Sequence, residues 1–146
     1  MMSFSADDEV WLATIDVKSL YTSIPHQEGL EAVQRVLLNS DDVQANKVFL
    51  LELLHFCLYH GYFACLDKFY IQIAGTSMGF SGAPSYANLF MAKFEHDHVH
   101  LNRAWQDGLS LYLRYIDDIF VVWKGHKHSL ELAIEELNQR HRHIKF

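Results

Sequence analysis

A chain of 146 residues that is 50% hydrophobic can bury the core of one compact domain, and 21% charged residues exclude a disordered polymer. No apolar run reaches the ~18 residues needed to cross a bilayer, and the acidic start MMSFSADDEV lacks the basic-then-apolar layout of a signal peptide. No membrane partner and an intracellular location are therefore expected. The net charge of -6 with His neutral is opposite in sign to the basic footprint of a nucleic-acid binder. Either the acid is concentrated in a metal site or basic parts lie outside this chain.

Taken in chain order, EVWLATID (9–16) is rich in strand formers and predicts a strand ending at Asp16. SLYTSIP breaks that pattern at Pro25. Leu30, Val33, Val36 and Leu37 carry helical spacing within 26–40. Residues 41–61 open with Asp41-Asp42 as capping chemistry and close on Gly61, which predicts a longer, more buried helix. YFACLDKFYIQI (62–73) reads as a hairpin turning at Asp67-Lys68.

Three glycines and a proline within 75–84 predict a loop. A helix over 85–105 follows, with Ala87, Phe90, Met91 and Phe94 on one face. LSLYLRYI (109–116) and IFVVWK (119–124) are strands with Asp117-Asp118 at the turn between them. A helix over 129–141 and a last strand at 143–146 complete the chain. Strand pairs mixed with helices argue for an α+β domain, an antiparallel sheet with helices on one face.

Cys57 and Cys65 have neither CxxC spacing nor a disulfide framework and read as free thiols. His96 and His100 in HDHVH stand four apart, a spacing open to zinc, but without a cysteine partner they read as a solvated helix end. His126, His128, His141 and His143 read as surface residues. No G-x-x-x-x-G-K-[ST] loop is present.

The sharpest chemistry is YIDD, Tyr115 to Asp118. Adjacent carboxylates repel, and apolar walls add a desolvation cost. A divalent cation removes both penalties; a solvated hairpin turn is the competing reading. Asp16 also ends an apolar strand, so three carboxylates converge if both strands are central in one sheet. Carboxylate oxygens suit magnesium, which keeps water and substrate phosphates as its other ligands. Two such ions ~4 Å apart serve in-line phosphoryl displacement. The residues alone leave nucleotidyl transfer and phosphodiester hydrolysis both open.

DVKSLYTSIP (16–25), GTSMGFSGAPSYANLFMAKFE (75–95) and YLRYIDDIFVVW (112–123), in that order, resemble the three central palm motifs of reverse transcriptases. They resemble those of Penelope-like retroelements in particular, as does LNQRHRHIKF (137–146). The resemblance implies a polymerase palm performing RNA-directed DNA synthesis. Its cofactors are two Mg2+ ions, with Mn2+ as a substitute, and its partners are dNTP and a primed RNA or DNA template. It assigns metal binding and catalysis to Asp16, Asp117 and Asp118, with the Val17 carbonyl as a further ligand.

The same resemblance assigns dNTP binding to the Ser19 and Leu20 backbone, to Tyr21 as a steric gate against the 2′-hydroxyl, and to Met78 and Gly79. Arg114 and Tyr115 are assigned to the primer end, with a surface position or a local salt bridge as the alternative for Arg114. Phe80-Ser81-Gly82 departs from the family, where residues such as TPV are more frequent, which puts fine template or nucleotide contacts in question. Lys145 resembles the lysine that protonates pyrophosphate. The chain is read as a single palm domain over 1–146, truncated at both ends. It lacks fingers, thumb and a GIY-YIG endonuclease module, so the isolated chain is expected to fold poorly and polymerise little. A nuclear location follows from the family. The rival reading is an inactive nucleic-acid-binding palm remnant.

Overall fold

A computed structural model describes residues 9–41, 43–77 and 79–146. The elements are β1 (Val10–Asp16), α1 (Leu20–Ser23), α2 (His26–Leu38), α3 (Gln44–Tyr59), β2 (Tyr62–Cys65), β3 (Lys68–Ile71) and α4 (Ala83–Glu95). A π-helical turn (His96–His100), α5 (Arg103–Gln106), β4 (Leu109–Tyr115), β5 (Asp118–Lys124) and α6 (Lys127–Arg140) follow. The architecture is α+β, with antiparallel sheets and helices mixed along the chain. The chain divides into two compact units, residues 1–18 with 94–146 and residues 19–93.

In the first unit β5 lies centrally in the order β1-β5-β4, and both pairings are antiparallel. The β1–β5 register runs without interruption from Val10↔Lys124 to Asp16↔Asp118. A bulge shifts the β4 register between Leu109 and Leu111. Alternation sends Ile119, Val121 and Trp123 of β5 to a buried face. There Trp105 of α5 stands edge-on to Trp123, with centroids 5.8 Å apart, and the Trp123 indole N–H donates to Ser129 Oγ of α6 at 2.9 Å. Leu130, Ala133 and Leu137 of α6 complete this core. The opposite face carries Leu12, Leu113, Tyr115 and Phe120, all exposed.

In the second unit α2 packs on α3, and α4 contributes buried Tyr86, Ala87, Phe90 and Met91. Gly29 sits inside α2, where glycine costs about 1 kcal/mol against alanine. Its reason is the Tyr86 ring: a Cβ at position 29 would come within 1.9 Å of the Tyr86 oxygen. That hydroxyl is buried without a hydrogen-bond partner among the described residues. Burial, then Tyr59 and Glu28, push its pKa above the usual tyrosine value. Replacing Tyr86 with Phe removes the stranded group and is expected to stabilise the chain by about 1 kcal/mol. A tyrosine with a raised folded pKa stabilises fully below its unfolded value of about 10 and loses that contribution as pH climbs further. The gain from Tyr86→Phe in thermal melts should therefore widen above that pH; a melt unchanged or lowered at neutral pH would count against it.

Five features differ from the sequence reading, the first being the acid turn, which falls at Ile116-Asp117 with Asp118 opening β5, not at Asp117-Asp118. α3 is not a buried helix: Leu58 is its one buried residue among those described, and Phe49, Leu50, Leu53 and Phe56 are exposed. It is apolar nearly all round, a pattern ordinarily found in enclosed helices. Its N-cap is Val43 without a side-chain bond, so Asp41 supplies no cap; Asp42 lies outside the described residues. The hairpin turns at Leu66-Asp67, both at positive φ (49° and 60°), not at Asp67-Lys68. The helix expected over 85–105 ends at Glu95, winds into the π turn and restarts at Arg103, capped by the Asn102 side chain accepting from the Ala104 N–H at 2.9 Å. Residues 143–146 form no strand; a single ladder-like bond, the Lys18 N–H to the Lys145 carbonyl at 2.9 Å, ties them to the end of β1.

Candidate active site

Within the first unit the ladder sets Asp16 directly opposite Asp118. One step further out, the Val17 N–H donates to the Asp117 carbonyl at 3.0 Å. The Asp16–Asp118 pair is therefore the narrow, non-hydrogen-bonded kind, in which facing side chains approach most closely. Tyr115 pairs with Asp118 across the β4–β5 hairpin, which puts its largely exposed ring on the same open face. Asp16 and Asp118 are exposed and Asp117 is half-buried in the turn. Among the described residues nothing hydrogen-bonds these three carboxylates, and no three His, Cys, Asp or Glu side chains converge into a metal-holding group. Unneutralised like charges are expected to spread apart.

The turn itself is strained. Ile116, its first residue, stands at φ +57°, a conformation that is a true outlier for a β-branched side chain. Such strain of about 1–3 kcal/mol persists only where neighbours over-determine it. Arg114 supplies one restraint by donating from a terminal guanidinium nitrogen to the Ile116 carbonyl at 3.1 Å. Arg114 pairs with Ile119 across the ladder and points to the covered face, away from Tyr115. Its Nε donates to Glu95 Oε1 at 2.6 Å in a nearly buried ion pair. The local salt bridge weighed beside a primer-end position for Arg114 is formed. Lys145 donates its ammonium to the carbonyls of Asn138 and, at 2.8 Å, His141. It caps the end of α6 and is committed there.

Within the second unit the segments carrying Ser19, Leu20 and Tyr21 and the loop before Gly79 are stitched together. The Thr76 N–H donates to the Tyr21 carbonyl and the Gly75 N–H to the Ile24 carbonyl, each at 2.7 Å. Buried His26 donates from Nε2 to the Gly75 carbonyl at 2.8 Å. Ser19 is left-handed at φ 50° and starts the single turn of α1. Leu20 is buried, Tyr21 half-buried and Gly79 exposed. Met78 lies outside the described residues.

The family model of the reverse transcriptase (RNA-dependent DNA polymerase) matches residues 3–146. The chain belongs to the reverse transcriptase family. Its fold is also that of a solved apo telomerase from Candida tropicalis truncated from its C-terminal domain, with a TM-score of 0.64 and 14% sequence identity. That likeness covers 89% of this chain and 27% of the telomerase chain, so the chain spans about a quarter of that neighbour's length. No curated protein matches it. Among the described residues no helix is long and apolar enough to cross a membrane.

Sequence reasoning missed the buried contacts of His26 and Glu95. His26 opens the stretch 26–40 that carries helical spacing, and its buried bond to a residue 49 positions away leaves no local pattern. Glu95 closes the motif GTSMGFSGAPSYANLFMAKFE; a lone acid ending an apolar helix face was the available signal.

Proposed function

We propose that this chain is the palm core of an RNA-directed DNA polymerase of the Penelope-like retroelement kind, acting in the nucleus. Asp16, Asp117 and Asp118, with the Val17 carbonyl, would hold two Mg2+ ions, for which Mn2+ can substitute. The observation that carries the reading is the ladder pair Asp16↔Asp118, joined to the turn by the Val17 N–H on the Asp117 carbonyl. It supplies hard oxygen donors without partners among the described residues, which suits magnesium. The bound ions supply charge neutralisation and Lewis acidity for transfer of a dNTP α-phosphate to a primer 3′-hydroxyl, with pyrophosphate leaving.

The protein's own part is placement. Tyr21 closes the sugar site against a 2′-hydroxyl. Ser19 and Leu20 present backbone to the triphosphate, Met78 and Gly79 border the nucleotide, and Tyr115 flanks the primer end. Residues 1–146 act as one functional palm whose fingers, thumb and endonuclease partners belong to a longer parent. The three carboxylates do not converge as they stand, which favours one second reading, an inert palm that still binds nucleic acid.

Affinity for a primed RNA template separates the two. With Mg2+ and the matching dNTP present, affinity is expected to rise at least tenfold, and Asp117→Asn should abolish the rise. Primer growth by the isolated chain is expected to be slight. Binding indifferent to Mg2+ and dNTP would establish the inert palm, and template shortened without dNTP would indicate a nuclease.

A further inference from the structure

Behind the acid-bearing turn, on the covered face of the sheet, lies a polar group that the reaction itself does not require. Glu95, at the end of α4, is buried. Its Oε1 accepts from Arg114 Nε at 2.6 Å and from the Tyr112 hydroxyl at 2.8 Å. Both donors come from β4, on the face opposite Tyr115 and Asp118. Desolvation, and then the Glu95 carboxylate, push the Tyr112 pKa upward, so its hydroxyl remains a donor.

Burying an ion pair is costly for each charge, and such a pair contributes little net stability over an apolar packing. What it contributes is a fixed direction for the guanidinium fork. Here the fork reaches forward to the Ile116 carbonyl at 3.1 Å, at the residue held at φ +57°. Ile116 immediately precedes Asp117, whose own carbonyl is held by the Val17 N–H. The two carbonyls of the turn are thus gripped from two sides, one by β1 and one by a side chain anchored through Glu95.

We propose that Glu95 and Arg114 are positioning residues that clamp the Ile116-Asp117 turn and thereby set the cation affinity of the Asp16, Asp117 and Asp118 rim. The cation half of this inference rests on the polymerase reading; the clamp half does not. A buried pair that only stabilised the sheet would loosen every strand together when broken. A clamp on the turn loosens the turn first.

The test follows amide hydrogen exchange and Mn2+ affinity of the whole chain by NMR. Arg114→Lys preserves the charge but loses the fork. It is expected to speed exchange of the Val17 N–H at least tenfold while Val121 in central β5 stays within threefold. Mn2+ affinity should fall about fivefold or more. Glu95→Gln, which retains shape and an acceptor, should move both readouts the same way by threefold or more and decides the matter if Arg114→Lys fails to fold. Tyr112→Phe leaves the fork in place and should change neither readout beyond threefold.

Uniform acceleration across the sheet, or unchanged Val17 exchange in both clamp variants, overturns the clamp. Unchanged Mn2+ affinity alongside selective Val17 exchange overturns the link to the cation. Asp118→Asn is the control on the metal reading: Mn2+ affinity indifferent to it overturns the cation rim, while the exchange data still judge the clamp.

Discussion

Gly75→Ala is expected to destabilise the chain by about 3 kcal/mol or more, a large part of the ~5–15 kcal/mol that holds a typical domain folded. An added Cβ at position 75 would stand 2.3 Å from the Tyr21 carbonyl oxygen and 2.5 Å from the Thr22 Cα. Both are backbone atoms, which cannot swing aside as a side chain does. Overpacking alone costs about 1–3 kcal/mol, and the left-handed φ of +69° adds roughly 1–2 kcal/mol for a residue with a Cβ. Relief by moving the loop would break the bonds that join it to residues 21–26. Gly79→Ala is the internal control, because an added Cβ there meets nothing within 4 Å; it should fall within about 0.5 kcal/mol of the parent. Urea unfolding of the two variants measures the difference, and equal midpoints would mean that position 75 is not the tight crossing described.

The contrast between positions 75 and 79 shows what a sequence carries and what it withholds. Both glycines stand in one loop and look alike as letters. What separates them is the Tyr21–Ile24 segment, more than fifty residues earlier, lying against one and not the other. The strand ending at Asp16 and the two strands of the acid hairpin were legible because alternation and β-branched residues are local signals, though the turn lies one residue earlier than read and Asp118 belongs to β5; the pairing of Asp16 with Asp118 follows once both strands share a sheet. α3 misled because its all-round apolar pattern signals burial, whereas the described residues cover little of it. Arg114 stood between two readings, a primer contact and a local salt bridge. Its neighbour Tyr115 lies on the open face, and the period of two along a strand sends adjacent residues to opposite sides. Sequence proximity to the acids therefore argued against proximity of its side chain, and the partner that explains it, Glu95, lies 19 positions away.

Asp118→Asn is expected to act with opposite sign in the absence and presence of magnesium. Asp16 and Asp118 face each other in a narrow ladder pair, and like charges so placed cost about 0.2–1 kcal/mol. Without divalent cations, removing one charge should stabilise the chain by about 0.5 kcal/mol. With Mg2+ at a hundredfold over its dissociation constant, mass action should stabilise the parent by about 2.7 kcal/mol. A tenfold weaker variant would gain only about half of that at the same concentration. The parent should thus be the less stable protein in chelator and the more stable one in magnesium, so the two stability curves cross as Mg2+ is added. A surface aspartate with no cation to hold has no means of producing that crossing, because screening by salt shrinks its repulsion without reversing the order of the two proteins. Sodium chloride at matched ionic strength separates the cases: curves that converge but never cross in either salt would show that the rim binds no divalent ion.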